Sequence, residues 1–161
     1  MIESRSDRFF PLVFRLLMAW TFLYAASSQV LNPMFSFAGL LRNTKTFHNF
    51  FAMFATAEVI PVITFLVAWG HLLIGLSLLV GLFVRVSAAF GIALVLLYWM
   101  ALMDWPYIDD PTNFIIDFHI VYAVVLGYLI ATRAGHAWGL DGWAAKLPFF
   151  ERNPKLKILV A

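Results

Sequence analysis

Residues 59–103 read VIPVITFLVAWGHLLIGLSLLVGLFVRVSAAFGIALVLLYWMALM, and Arg85 is the only formally charged residue among them. One membrane crossing takes about 20 residues, so this run is too long for one crossing and long enough for two. The sequence therefore predicts a hairpin of two membrane-spanning helices that reverses at residues 81–85. Arg85 is expected to anchor that turn at the membrane surface.

The composition of the whole chain also indicates an integral membrane protein. Of its 161 residues, 63% are hydrophobic and 12% are charged, whereas soluble globular domains are about 25% charged. The basic residues behind the net charge of +2 lie beside apolar segments, where they indicate topology and not nucleic-acid binding. We expect the lipid bilayer and other membrane protein subunits as partners, and no nucleic acid. The lack of cysteine excludes disulfides and thiol redox chemistry.

Four apolar segments predict an all-α fold, an integral membrane four-helix bundle. The helices are expected at about residues 11–31, 59–83, 86–103 and 113–132. The first should be a retained helix and not a removed signal peptide, because no small-residue cleavage site interrupts its apolar run. Residues 1–145 would then form a single transmembrane domain, followed by a basic tail at the membrane surface over residues 146–161.

The segment between the first two helices is less apolar than the predicted spans. Arg42, Lys45 and His48 interrupt residues 34–57. Phenylalanines nevertheless recur there at i, i+3, i+4 and i+7, the spacing of one helical face: Phe47, Phe50, Phe51 and Phe54. We predict an amphipathic segment at the membrane interface. Its aromatic face is interpreted as packing, with a cofactor-binding surface as the alternative.

The basic residues near the predicted spans are unevenly distributed. With the N-terminus inside, the outer side holds Arg42 and Lys45, and the inner side holds a larger set: Arg5, Arg8, Arg85, Arg133, Lys146, Arg152, Lys155 and Lys157. Basic residues favour the cytoplasmic side of a membrane. The sequence therefore predicts a multi-pass protein of the cytoplasmic (plasma) membrane with both termini inside.

Two polar residues within the predicted spans are candidates for chemistry. Arg15 lies about a turn and a half into the first helix. It either snorkels to the interface or faces inward and holds an anionic or carbonyl group. His71 lies close to mid-bilayer, where a polar group left unpaired in hydrocarbon costs several kcal/mol. We therefore expect His71 to face the bundle.

The role of His71 has two interpretations. One is an interhelical hydrogen bond, for instance to Tyr98, Tyr122 or Ser77. The other is functional, as a quinone hydrogen-bond partner, a proton relay or a haem ligand. No haem is expected, because such a site usually needs a second axial histidine and none lies at a matching depth.

A second group of candidates lies at the predicted outer ends of the helices. Glu58 opens the second helix, Asp104 closes the third, and Asp117 and His119 open the fourth. Together they would bind a metal or pass protons, or they simply cap helices, since Asp near a helix N-terminus is favoured by the dipole. Asp117 and His119 would lie about 200° apart on a helix and so form no chelating pair. No metal is expected.

The run GHLLIGLSLLVGLFVRVSAAFG resembles the signature of the DoxX/DoxD-like family of small four-helix membrane proteins. Several residues carry this resemblance, over most of residues 10–142: Arg15, Gly75, Leu78, Gly81, Arg85, Ala88, Ala89, Gly139, Leu140 and Asp141. Two positions depart from the family pattern. His71 stands where an acidic residue is usual, and Gln29 stands near the place of a frequent lysine.

The resemblance implies a membrane subunit of a quinone-linked oxidoreductase, similar to the DoxD-type subunit of thiosulfate:quinone oxidoreductase, which pairs with a DoxA-like subunit. We take as catalytic candidates His71, Arg15, Glu58, Asp117 and His119. A quinone, the expected cofactor, would be bound by Arg15, His71, Tyr98 and Tyr122. The alternative is a non-catalytic accessory subunit of a larger membrane complex. A transporter is not expected, because paired broken helices are absent from the sequence pattern.

Overall fold

A computed structural model of the protein describes residues 5–160. Within them, three helices are long and apolar enough to cross a membrane: Arg8–Val30 of α1 (Arg5–Val30), α4 (Val59–Val80) and α5 (Val84–Ala101). A further apolar helix, α6 (Phe118–Ala131), has 14 residues, which is about 21 Å of helix against a hydrocarbon core of about 30 Å. The prediction of a helical membrane protein is confirmed.

The long helices pack as two close pairs, α1 against α4 and α5 against α6, and the pairs contact each other through α4 and α5. Small residues allow this approach: a Cβ added at Gly75 would lie 2.7 Å from Leu23 Cγ, and one at Gly91 would lie 3.0 Å from Leu126 Cδ1. The packed centre contains Met18, Ala19, Phe22, Ile74, Leu78, Ala88, Val95, Leu126 and Leu129.

The predicted hairpin reverses at residues 81–83, between α4 and α5. Gly81 has φ +72°, a left-handed conformation that glycine adopts without steric cost. Its N–H donates to the Ser77 carbonyl at 2.9 Å, and so satisfies one of the last carbonyls of α4.

The end of the bundle that carries residues 34–57 differs from the prediction. That segment forms two short helices, α2 (Ala38–Arg42) and α3 (His48–Ala52), and not one amphipathic helix. An antiparallel sheet of order β1-β2-β3 follows α5, with strands Met103–Asp104, Tyr107–Ile108 and Asp110–Phe114. The all-α description therefore omits a small sheet. Because residues 110–114 pair as β3, α6 begins at Phe118 and not at residue 113.

At the opposite end, the C-terminal segment packs against the bundle. It contains α7 (Asp141–Ala144), α8 (Pro148–Arg152), α9 (Pro154–Lys157) and two 3₁₀ turns, Ala134–His136 and Ile158–Val160. Phe150 and Val160 are buried with Ala144 and Ala145, and Leu82 of the α4–α5 turn packs on them. Part of the predicted basic tail, residues 146–161, therefore packs on the bundle, while its basic residues stay exposed. Its location at the membrane surface stays a prediction.

Candidate functional site

Arg15 is buried at the end of the bundle that carries the C-terminal segment, with 2% of its surface exposed. Its Nη1 donates to the Ala134 carbonyl at 2.8 Å, and its Nη2 donates to the Trp138 carbonyl at 3.3 Å. Of the two interpretations of Arg15, the structure shows the inward-facing one. The guanidinium fastens α1 to the turn that follows α6.

Asp141 lies beside Arg15 and is equally buried. Its carboxylate accepts from the Phe83 N–H at 2.7 Å and the Val84 N–H at 3.1 Å, so it caps α5. Burial raises the pKa of the Asp141 carboxyl, and the two N–H donors, His136 and Arg15 act against that rise. The sequence resemblance named Asp141 without a role, and the structure supplies one.

Glycines make room for this Arg15–Asp141 cluster. A Cβ at Gly135 would clash with the Asp141 carboxylate, and a Cβ at Gly81 or Gly139 would clash with Arg15 Nη1. The guanidinium is therefore enclosed by backbone. Arg15 contacts residues that follow the C-terminal end of α6. Because α6 is about 20 Å long, Arg15 lies far from the residues at the start of that helix.

A separate cavity of about 190 Å³ lies between α1, α4, α5 and α6. We call it the histidine cavity. It brings together four of the predicted site residues: His71, Tyr98, His119 and Tyr122. Thr21, Phe22, Ala25, Gln29, Val95 and Phe118 complete its lining.

His71 is buried, and its ring packs against Phe22 and Tyr98 with centroid distances of 5.6 and 5.7 Å. Its Nδ1 lies 2.8 Å from the Val67 carbonyl, one turn earlier in α4. Because a carbonyl only accepts, Nδ1 carries the proton, and Nε2 of the neutral ring is an acceptor. The predicted interhelical hydrogen bond is wrong, since the bond stays within the helix. Nε2 remains for a ligand.

His119 is held by Asp117 at the start of α6. Asp117 has φ −123° and ψ −170°, so it caps the helix from outside, and its Oδ1 accepts from the His119 N–H at 3.0 Å. Its Oδ2 lies 2.5 Å from His119 Nδ1. The expected 200° separation assumed that both residues were helical, and it is wrong because Asp117 has extended backbone.

Aromatic stacking joins the two histidines through Tyr98. The Tyr98 and His119 rings lie 5.9 Å apart with only 8° between their planes, and the Tyr98 ring also contacts the His71 ring at 5.7 Å. Asp117, His119, Tyr98 and His71 therefore form one contiguous polar row across the bundle. Tyr122 lines the same cavity and packs on Phe118.

Gln29 is a site residue that the sequence indicated only as a departure from a family pattern. Its Nε2 lies 3.5 Å from the Tyr98 hydroxyl, and its Oε1 is buried without a hydrogen-bond partner. A buried acceptor left unsatisfied costs about 1–3 kcal/mol. Because Gln29 lines the histidine cavity, this oxygen is an acceptor available to a donor in the cavity.

The other predicted candidates lie outside this cavity. Glu58 is exposed at the start of α4 and makes no capping hydrogen bond. Asp104 is exposed and pairs with Lys45 at 2.6 Å. The structure therefore divides the predicted outer cluster into two surface carboxylates and the buried Asp117–His119 pair. Within the described part of the chain, no group of three His, Asp or Glu side chains lies close enough together to hold a metal ion.

A second, apolar cavity of about 230 Å³ shares Tyr98 with the histidine cavity as a lining residue. Phe37, Phe50, Phe51 and Phe54 line it, together with aliphatic residues of α4 and α5. We call it the phenylalanine groove. Val67, whose carbonyl accepts the hydrogen bond from His71 Nδ1, is also a lining residue of the groove. The two cavities thus meet at Tyr98 and Val67.

The DoxX family model matches residues 10–105, more than half of the chain. The chain belongs to the DoxX family. The match covers α1 to α5, so it includes Gln29, His71 and Tyr98 of the histidine cavity lining but not His119. DoxX proteins are a membrane family, and with three long apolar helices this one is a multi-pass membrane protein. No curated protein and no solved structure matches it.

The Asp117 cap of this DoxX protein can be tested by substitution. Asp117→Ala should lower the free energy of unfolding by about 1–2 kcal/mol, because the variant loses both the cap and the His119 partner. Asp117→Asn should cost less, since asparagine also caps helices. Glu58→Ala is the matched control and should change it by less than about 0.5 kcal/mol. Unfolding in detergent, followed by circular dichroism, measures all three; equal losses in Asp117→Ala and Glu58→Ala would contradict the assignment.

Proposed function

We propose that this DoxX protein binds the headgroup of a quinone or quinol in the histidine cavity, as the membrane subunit of a quinone-linked oxidoreductase with partner subunits. The observation that most supports this is the buried, unpartnered Gln29 Oε1. His71 Nε2 is a second acceptor on the same cavity wall. Two acceptors and an aromatic wall suit a flat ring that carries two hydroxyl donors.

The polar row gives each residue a role at the headgroup. His71 and Gln29 accept hydrogen bonds from ring hydroxyls, and the Tyr98 hydroxyl is placed to donate or accept. Asp117 Oδ2 accepts a hydrogen bond from His119 Nδ1, so His119 Nε2 is an acceptor and His119 is the general base that takes a proton from a ring hydroxyl. Oxidation of a bound quinol to the quinone releases two protons, which leave one after the other through His119 to the aqueous side, and two electrons, which pass to a partner subunit. Quinone reduction, the direction that the resemblance implies, runs the same steps in reverse, with electrons from the partner subunit and protons from the aqueous side. The partner carries the electrons because the lack of cysteine excludes thiol redox chemistry in this chain.

The phenylalanine groove supports the same ligand class. Membrane quinones carry an apolar polyprenyl tail, and the groove is lined by apolar side chains apart from Tyr98. Since Tyr98 also borders the histidine cavity, a headgroup in the cavity and a tail in the groove would both contact Tyr98. This arrangement supports the earlier alternative that the aromatic residues of the segment at 34–57 form a ligand surface.

We also infer the membrane arrangement that the proposal requires. α6 is the fourth span, both termini lie on the cytoplasmic side of the plasma membrane, and the sheet faces outward. The packing of α6 along α5 and α1 supports a fourth span. A helix this short is accommodated by local thinning of the bilayer.

Quinol binding tests the proposal. Short-chain benzoquinol titrated into the purified protein should bind, and His71→Phe and Gln29→Leu should each weaken binding by about tenfold, because each removes one buried hydrogen bond. Leu73→Ala is the control, since Leu73 lies on the lipid-facing side of the same helix. Binding that is absent, or that is unchanged in both cavity variants, would contradict the proposal.

The alternative is an accessory subunit that only stabilises a larger membrane complex. The observation that favours it is Arg15, which makes internal hydrogen bonds in the Arg15–Asp141 cluster and lies away from the histidine cavity. Co-purification in mild detergent distinguishes the two: an accessory role predicts partner subunits without extractable quinone. Stable, quinone-binding monomers would contradict the accessory role.

A further inference from the structure

A third cavity, of about 580 Å³, lies at the end of the bundle that carries the C-terminal segment. We call it the cationic cavity. Three separate parts of the chain contribute to it: the start of the α1 span, the turn after α6, and the region of α7. Its lining includes Arg8, Pro11, Arg133, His136, Trp143 and Lys146.

The charged side chains described in the lining of this cavity are all basic. Arg133 and Lys146 are exposed at its surface and come from different segments. His136 Nε2 donates to the Val160 carbonyl at 2.9 Å, which fixes the ring in the wall. Asp141, the carboxylate beside His136, is occupied by the Phe83 and Val84 N–H groups. No Asp or Glu is found among the described side chains of the lining. The cavity is therefore suited to an anion.

Its position places that anion at the level of lipid headgroups. The α1 span begins at Arg8, and α6 ends at Ala131, two residues before Arg133. Trp138 and Trp143 are exposed nearby, with 55% and 61% of their surfaces accessible. Tryptophan at a membrane boundary sits at the headgroup level. A basic recess between helices at this depth has the chemistry of an acidic-lipid site.

An aromatic row continues from the cavity toward the middle of the membrane. Phe10 and Phe14 of α1 lie 6.4 Å apart, and Phe14 meets Tyr128 of α6 edge-on at 5.5 Å. Tyr128 lies one helical turn before Thr132, another residue of the cavity wall. The row therefore follows the seam between α1 and α6, and Phe10 on it is exposed. These side chains form an apolar surface next to the cationic cavity, on which an acyl chain can lie.

We propose that the cationic cavity is a binding site for an anionic phospholipid. Arg133 and Lys146 hold its phosphate, with Arg8 and His136 beside them. One acyl chain lies along Phe10, Phe14 and Tyr128. The bound lipid joins α1 and α6 at their seam. This proposal is independent of the quinone site.

Native mass spectrometry of the full chain in detergent tests the headgroup contacts. Phosphatidylglycerol should be retained in preference to phosphatidylcholine. The double variant Arg133→Gln/Lys146→Gln should bind phosphatidylglycerol about 25-fold more weakly, from about fivefold for each basic residue lost. Lys155→Gln/Lys157→Gln is the matched control, because it removes the same charge from exposed α9. Equal weakening in the two double variants would show an effect of net charge alone and overturn the site.

Two further measurements separate a lipid from a soluble anion and from misfolding. Tyr128→Ala should weaken phosphatidylglycerol binding and leave binding of inorganic phosphate unchanged. If inorganic phosphate displaces the lipid at equal concentration, the site holds a soluble phosphate and the lipid assignment is wrong. Circular dichroism melting of each variant checks the fold, and Arg133→Lys/Lys146→Arg should restore phosphatidylglycerol binding if charge at these two positions holds the phosphate.

Discussion

An Arg15→Met variant should lose about 3–5 kcal/mol of its free energy of unfolding, the largest effect that we expect from a single side chain. The substitution removes the positive charge that faces buried Asp141. It also leaves the Ala134 and Trp138 carbonyls without their donor. Unfolding in mixed detergent micelles, followed by circular dichroism, measures the loss.

Two further variants show whether the cluster or the charge alone is responsible. Arg85→Met removes an exposed arginine near the same turn and should cost less than about 0.5 kcal/mol. In a double-mutant cycle, Arg15→Met combined with Asp141→Asn should lose less than the sum of the two single losses, because the residues share one network. Strict additivity would contradict the proposed coupling.

Gly81→Ala should be the second most damaging substitution, although it adds a single methyl group. At φ +72° an alanine costs about 1–2 kcal/mol. Its Cβ would clash with Arg15 Nη1 and lie 2.6 Å from Gly139 Cα, and such overpacking costs about 1–3 kcal/mol more. We therefore expect a loss of about 2–5 kcal/mol in the free energy of unfolding.

Gly70→Ala is the matched control on the same helix. A Cβ at Gly70 meets no atom within 4 Å, and alanine is the better helix former by about 1 kcal/mol. The same unfolding experiment should therefore show Gly70→Ala to be neutral or stabilising. If the two variants change the free energy of unfolding equally, the α4–α5 turn does not approach Arg15 and Gly139 as closely as described.

Local sequence signals predicted the long helices and failed where distant segments meet. The apolar run at residues 59–103 is enough to predict two helices and a turn, because the length of an apolar run and the position of a glycine can be read from the local sequence. The start of α6 was placed five residues early, since β3 forms only by pairing with β2. The paired short helices at 34–57 likewise depend on packing against α4 and α5 and not on their own periodicity.

The candidate site shows the same division. His71, Tyr98, Tyr122 and His119 were named from burial and chemistry, and the structure places all four on one cavity. Gln29 received no role because an unpartnered amide oxygen is visible only once its surroundings are known. Asp141 was also missed as a capping residue, since its partners Phe83 and Val84 lie 58 and 57 residues away in sequence.

The contacts of Arg15 have a consequence for biosynthesis. The first helix leaves the ribosome long before residues 134–141, which supply both carbonyls and the carboxylate that surround its guanidinium. Until then α1 carries a cation without its native partners, and an uncompensated charge within a bilayer is costly. The native packing of α1 around Arg15 can therefore form only after residues 134–141 have been synthesised.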